Sequence, residues 1–295
     1  MTIKELKIKT RSSKIFSKDI SIQFEPEQVK TLNDLVKIIL KSYKSKLNKH
    51  RVRLTVESNG KQIAIDENLG NIQNEIFIKD LGPQISWRLV FMIEYFGPIA
   101  IHTLLYQLAL INYTFGVEKS TIKSVYLMHI IHYLKREFES VFVHSFSNAT
   151  MPLFNVFKNS FHYWILNGII GLGYLGYGFN FAVDLNIDSK ILWGLFLAFE
   201  FCNLLCHVKL RQVGDALLKK GIKERKPIDE GVFKYLVSPN YTFEVLSWVI
   251  VTIMFKFNLF AVLFLLVSAT QMYLWALKKN KKYKTRKAFL IPYVF

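Results

Sequence analysis

Beyond Leu89 the chain runs repeatedly for about 20 residues with hardly a charged side chain, the length an α-helix needs to cross the hydrocarbon core of a bilayer. A soluble fold would have to bury such segments on every side. About six of them can be placed, over 89–111, 122–143, 161–179, 191–208, 243–257 and 259–277. The fifth is short, and Phe255-Lys256-Phe257-Asn258 leaves room only for a tight turn before the sixth. Gly168, Gly171, Gly173, Gly176 and Gly178 crowd the third. No strand precedes them, so close helix packing or a distortion is expected there, not a dinucleotide loop.

The first 80 residues are of another kind, with 16 basic and 10 acidic side chains. Apolar and polar residues alternate over 3–9 and 20–24, the period of half-buried strands, and a hairpin is expected. Leu32, Leu35, Ile38, Ile39 and Tyr43 then fall at helical spacing. Val52, Leu54 and Val56 restore the strand period before a turn at Gly60, and a last strand is expected over 75–79. Strand, strand, helix, strand, strand describes a small α+β unit of the ubiquitin-like β-grasp type. The expected fold is therefore mainly α: a polytopic membrane helix bundle over 81–295, preceded by a ubiquitin-like domain over 1–80.

Orientation follows from the formal charge of +17, with 39 Lys and Arg against 22 Asp and Glu. The connections 209–234 and 278–287 are strongly basic, whereas 184–190 holds two acids and one base. Basic segments stay in the cytosol, so six spans put both termini there. Lys4, Lys7, Lys9, Arg11, Lys14 and Lys18 precede any apolar run, so no cleaved signal is expected. Topology and contact with anionic lipid absorb the positive charge, and a nucleic-acid partner is not expected. Cys202 and Cys206 share a helix face with His207, but a structural zinc site needs four ligands and no further cysteines exist. Apolar packing of the thiols is expected, and no metal.

Ionisable residues inside spans are costly and face a polar interior. Glu94 lies two helical turns into the first span, and His129, His132, Lys135, Arg136 and Glu139 crowd the second. Asn203, His207 and Arg211 form an i, i+4, i+8 stripe on the fourth. Asn240 and Glu244 pair at i, i+4 where the fifth begins, beside Tyr241, while Tyr283 and Arg286 follow the sixth. Each has a bland reading: Glu94 as a structural ion pair, Tyr241 as an interfacial aromatic, Lys135 and Arg136 snorkelling to headgroups. Their convergence at the cytosolic ends of five spans favours a pocket for charged cytosolic molecules, and the cations there suit phosphates.

Longer motifs narrow this. Ile78-Lys79-Asp80-Leu81-Gly82-Pro83-Gln84-Ile85-Ser86-Trp87-Arg88, Glu94-Tyr95-Phe96-Gly97-Pro98, the stretch from Phe142-Val143-His144-Ser145-Phe146-Ser147 to Thr150-Met151-Pro152, and Ser238-Pro239-Asn240-Tyr241-Thr242-Phe243-Glu244 can be set against known families. With them the chain resembles, end to end, the very-long-chain trans-2-enoyl-CoA reductases of endoplasmic-reticulum fatty-acid elongation, members of the steroid 5-alpha-reductase superfamily. Lys279-Asn280-Lys281-Lys282-Tyr283 and the segment 286–295 resemble the fungal form.

The resemblance implies an NADPH-dependent reduction of trans-2-enoyl-CoA in a multi-pass endoplasmic-reticulum protein, serving very-long-chain fatty-acid and sphingolipid synthesis, with the bilayer and other elongation enzymes as partners. It implies Glu94 and Tyr241 as the catalytic pair. It places NADPH on Asn203, Asn240, Glu244 and Tyr283, with Arg211 at the nucleotide phosphates. Trp87, just ahead of Glu94, is expected to touch the cofactor. A phenol is protonated at pH 7, so Tyr241 is expected to be the general acid and Glu94 to orient it or a bound group. His207 departs from the superfamily's aspartate and Asn280 stands near its histidine, so no contacts are carried over there. A sterol or other enone reductase, or a non-catalytic scaffold of the elongation complex, are the alternatives.

Overall fold

The computed structural model describes residues 4–11, 16, 18–25, 29, 31–57, 63, 74–111, 117–145, 149–181, 183, 185–222 and 225–291. It divides into two compact units, Met1–Ser86 with Asn148–Asn155, and Trp87–Ser147 with Val156–Phe295.

The first unit holds β1 (Lys4–Thr10), β2 (Ile20–Phe24), α1 (Leu32–Ser42), β3 (Val52–Thr55) and β4 (Glu75–Asp80), the five elements that the sequence pattern places there. The sheet runs β2-β1-β4-β3, with β1 antiparallel to β2, parallel to β4, and β4 antiparallel to β3. The period-2 pattern becomes burial: Leu6, Ile8, Ile22, Phe24, Leu54, Ile76 and Ile78 all enter one core. Helix α1 starts at Thr31, whose side chain accepts from the Asp34 N–H, and lays Leu32, Leu35, Val36 and Ile39 onto that core. The turn expected at Gly60 lies outside the described residues. The unit also takes in β5 (Gln84–Ser86), which pairs antiparallel with β6 (Thr150–Pro152), matching Ile85 with Met151.

The second unit is helical. It contains α2 (Trp87–Ile111), α3 (Lys119–Phe138), α5 (Ser189–Lys219), α6 (Pro239–Met254) and α7 (Leu259–Tyr283); the short α4 (Phe154–Ser160) leads into it. Tyr95, Tyr133, Phe196, Trp248 and Phe255 fill its interior, while Leu104, Phe142, Leu197, Phe201 and Leu266 point outward. Outward apolar faces around a polar-containing centre suit a lipid surround.

Helices α2, α5 and α7 are long and apolar enough to cross a membrane. The segment 122–143 is helical as expected, but its buried residues include His129, His132, Arg136 and Glu139, and it ends in a π turn over Glu139–Val143. Over 161–179 the expected distortion is complete: a π-helical stretch, Phe161–Asn167, passes into a 3-10 stretch, Gly168–Leu175. Glycine is needed here for contact, since a Cβ at Gly173 would lie 2.7 Å from the Phe255 ring. The turn between α6 and α7 is as tight as predicted, with Lys256 and Phe257 both left-handed and Asn258 capping α7.

Candidate active site

Four helices bring their polar residues to one interior. Arg136 of α3 donates from Nη1 to Glu139 Oε2 at 2.6 Å and from Nη2 to the Tyr95 hydroxyl of α2 at 2.7 Å. His207 of α5 sits with Nδ1 2.9 Å from the same Glu139 oxygen, and its Nε2 is 3.3 Å from the Asn240 amide nitrogen in the first turn of α6. Asn203, one turn before His207, donates to the Asn240 backbone carbonyl at 2.7 Å. Lys135 donates to Asn203 Oδ1 at 2.5 Å and pairs with Glu200 at 2.8 Å, and His132 donates to the other Glu200 oxygen at 2.9 Å. The chain of contacts from Glu200 to Tyr95 is almost wholly buried. Such a network is stable only when nearly every member is paired.

Snorkelling is thereby corrected for Arg136. Its guanidinium is turned inward and buried because Glu139 and Tyr95, not headgroups, are its partners. Tyr95 is the site residue that sequence reasoning missed, while Arg136, Glu139 and His207 are singled out there without the partners that the structure gives them. Arg136 and Glu139 stand at i, i+3 and Tyr95 follows Glu94, signals compatible with pairing but silent about the partner.

The expected site residues have distinct surroundings. Asn203 and Asn240 meet directly, as above. Tyr241 carries the Lys279 ammonium over its ring at 4.5 Å, and Lys279 also donates to Ser238 Oγ at 2.8 Å. The Tyr241 hydroxyl has no hydrogen-bond partner among the described residues. Glu94 is buried close to Asn159, and its Oε1 has no hydrogen-bond partner among the described residues. No hydrogen bond joins Glu94 to Tyr241 among the described residues. Glu244 makes neither a hydrogen bond nor an ion pair among them, and lies within electrostatic reach of Arg136, Tyr95 and Tyr163. Trp87 opens an i, i+4 aromatic ladder, stacking on Phe91 at 6.0 Å, which stacks on Tyr95 at 5.7 Å.

Arg211 is engaged elsewhere in the bundle. It pairs with Asp215 at 2.6 Å and donates to the carbonyls of Val143 and His144, closing the end of the π turn. Asn280 fixes the chain after α7, donating to the Lys287 carbonyl and accepting from Thr285. Tyr283 faces a cavity of about 110 Å³ whose wall also includes Asn240, Arg225, Lys226 and Lys279. Glu139, His144 and His207 place ligand-type atoms within 4.8 Å of one another, but the Glu139 oxygen in contact with Arg136 and His207 makes this an ion-pair network. Cys206 is buried and Cys202 half-buried, both as free thiols.

This arrangement can do two things. The basic cavity can hold phosphates, since cations desolvated together recover energy only against anions. The unpartnered Asn240 Oδ1 and Glu94 Oε1, both buried, can accept hydrogen bonds from a bound molecule. An anionic nucleotide with amide and hydroxyl donors fits both.

Comparisons with known proteins agree in one direction. The family described as 3-oxo-5-alpha-steroid 4-dehydrogenase matches residues 149–295. The "Very-long-chain enoyl-CoA reductase" of Dictyostelium discoideum is 34% identical over 276 residues, covering 88% of each chain. A Caenorhabditis elegans protein with the name "Probable very-long-chain enoyl-CoA reductase" is 34% identical over 279 residues, 85% of this chain and 87% of its own. The human "Trans-2,3-enoyl-CoA reductase-like" protein is 29% identical over 234 residues, 74% of this chain and 64% of its own.

Proposed function

This chain belongs to the very-long-chain enoyl-CoA reductase family, and from that premise we propose that it reduces trans-2-enoyl-CoA to saturated acyl-CoA with NADPH, Tyr241 serving as proton donor. It is an oxidoreductase of fatty-acid elongation. When bound, NADPH supplies the hydride that C3 of the conjugated thioester receives. The residues that would hold the cofactor are Asn203, Asn240, Glu244 and Tyr283, with Arg211 or the cations of the neighbouring cavity at its phosphates and Trp87 at its margin.

The protein's own work is to receive charge at the thioester oxygen and deliver a proton. As negative charge develops there, a donor placed beforehand is worth several kcal/mol. The Tyr241 phenol can donate to that oxygen or pass its proton to C2, and Lys279 over its ring stabilises the negative charge left on Oη. Glu94 orients the substrate or a bound group through its unpaired Oε1. The observation that supports this reading best is the Tyr241 hydroxyl, without a hydrogen-bond partner among the described residues and on the residue next to Asn240.

The same reading extends to the setting. The headpiece is a ubiquitin-like β-grasp domain over 1–80, and 81–295 form a catalytic membrane domain of about six spans. Both termini face the cytosol, the membrane is that of the endoplasmic reticulum, and the product feeds very-long-chain fatty acids and sphingolipids beside other elongation enzymes. Apolar outer helices would shelter the acyl chain while the basic cavity meets the anionic half of the substrate.

The deciding experiment offers purified protein a long-chain trans-2-enoyl-CoA and, separately, a steroid enone, following NADPH consumption. Turnover of the enoyl-CoA is expected, falling roughly 10² to 10⁴-fold in Tyr241→Phe while NADPH affinity holds. Turnover of the enone alone establishes the sterol-reductase alternative. Tyr241→Phe within twofold of the parent removes Tyr241 from the role.

A further inference from the structure

His207 is surrounded by groups that leave its ring little choice. Nδ1 lies 2.9 Å from Glu139 Oε2 and 3.2 Å from Arg136 Nη1. A bare Nδ1 would press its lone pair against a carboxylate oxygen, whereas Arg136 already delivers its proton to that same oxygen at 2.6 Å. The Nδ1 proton therefore lies between the ring and Glu139. In the neutral ring Nε2 is then an acceptor, so the Asn240 atom facing it at 3.3 Å is the amide nitrogen. That leaves Asn240 Oδ1 as the free end of the amide, buried and without a hydrogen-bond partner among the described residues. The backbone beneath is held as well, since Asn203 donates to the Asn240 carbonyl and Lys135 donates to Asn203. Asn240 itself lines the basic cavity.

We propose that Glu139 and His207 are positioning residues that act through the ring tautomer, fixing the Asn240 amide so that Oδ1 accepts an N–H donor, of the kind a carboxamide carries, from the bound cofactor. The inference rests on the NADPH reading and deepens it. With the opposite tautomer, Nε2–H would attract Oδ1, the amide would turn over, and its nitrogen would meet the cofactor donor to donor. The buried unpaired oxygen is thus the set position of a selector, and Glu139 is what sets it. Neither Glu139 nor His207 needs to touch the cofactor.

A thermodynamic cycle on NADPH affinity tests this, read by the fluorescence of the bound nicotinamide with the full-length protein in detergent and no acyl substrate. His207→Phe should weaken binding about fivefold to tenfold, the worth of one oriented neutral hydrogen bond. The same change placed on Asn240→Ala should weaken it no further. A residue supporting only the fold would lower affinity equally in both backgrounds. His207→Gln, whose amide still offers a donor and an acceptor, should return to within about twofold of the parent. Asn240→Asp provides a second route should His207→Phe not fold. It keeps an oxygen toward the ligand, and the charge it adds is met by a proton taken up on His207 Nε2 between two carboxylates, so its loss should stay below about threefold. Equal losses in both backgrounds, or Asn240→Asp as weak as Asn240→Ala, overturn the proposal while leaving the enzyme reading standing. A parent protein that binds no NADPH overturns the cofactor reading and this inference with it.

Discussion

Replacing Arg136 by Met should cost far more than the change in size suggests. The side chains of Arg136 and Glu139 are 9% and 0% exposed, and their contact is 2.6 Å. Met fills a similar volume, so the loss is polar. Glu139 would keep His207 at 2.9 Å and Lys135 at 3.6 Å but lose its nearest countercharge, and the Tyr95 hydroxyl would lose its 2.7 Å donor. Breaking a buried pair from one side costs roughly 3 to 5 kcal/mol. The remaining partners of Glu139 pull this toward the lower value, and the stranded hydroxyl adds about 1 kcal/mol. Thermal unfolding in detergent micelles should register a fall on the order of 10 °C. Removing both charges is the informative control. Because a buried pair is worth little against an apolar pair of equal volume, Arg136→Met with Glu139→Leu should recover at least half of the loss. A single variant within about 1 kcal/mol of the parent, or a double variant less stable than the single, would falsify the mutual dependence of the two charges.

Gly97→Ala should destabilise by roughly 1 to 3 kcal/mol, measured in the same unfolding assay, because the new Cβ would lie 1.9 Å from the Trp164 indole nitrogen, which donates to the Ile93 carbonyl at 3.0 Å. In the first unit, the bidentate hydrogen bonds from Arg51, with help from the Gly82 N–H, hold the Asp80 carboxyl below its ordinary value. That stabilisation is complete above the unfolded Asp value of about 3.9 and disappears as pH falls through the lower folded value. Pepsin nicking within β3 and β4 should therefore rise as pH drops below about 4 in the parent, and Asp80→Asn should flatten that dependence; an unchanged profile removes the pair from acid stability. Helix α5, with 31 residues, spans about 46 Å. Glycosylation acceptors inserted beside Asp188 should be modified and those beside Lys220 should not, and the reverse pattern would place Tyr241 away from cytosolic nucleotide.

What could be read from the sequence follows from how local the determining physics is. Strands β1 to β4 announce themselves because burying one face of a pleated sheet demands a two-residue period, and Leu6, Ile8, Ile76 and Ile78 carry it unaided. The spans α2, α5 and α7 are legible for the same reason, since lipid imposes its demand on every turn. Helix α3 is legible as a helix, but the direction of Arg136 is not: it satisfies both a snorkelling reading and an inward one, and the choice is made by Glu139 and by Tyr95, which comes from a helix distant in sequence. The 161–179 segment hides its π and 3-10 turns because its register is set by contacts of Gly97 with Trp164 and of Gly173 with Phe255. At the site, the i, i+4 spacing of Asn203 and His207 correctly put both on one face, and both do reach Asn240. Asn240 and Glu244 share a face by the same spacing, with Asn240 in contact with α5 and Glu244 within electrostatic reach of Arg136 and the tyrosines. Spacing fixes which residues share a face, but the partner across that face decides which atom of an amide or imidazole is left over. In this bundle that leftover atom, Asn240 Oδ1, is where binding specificity would be set.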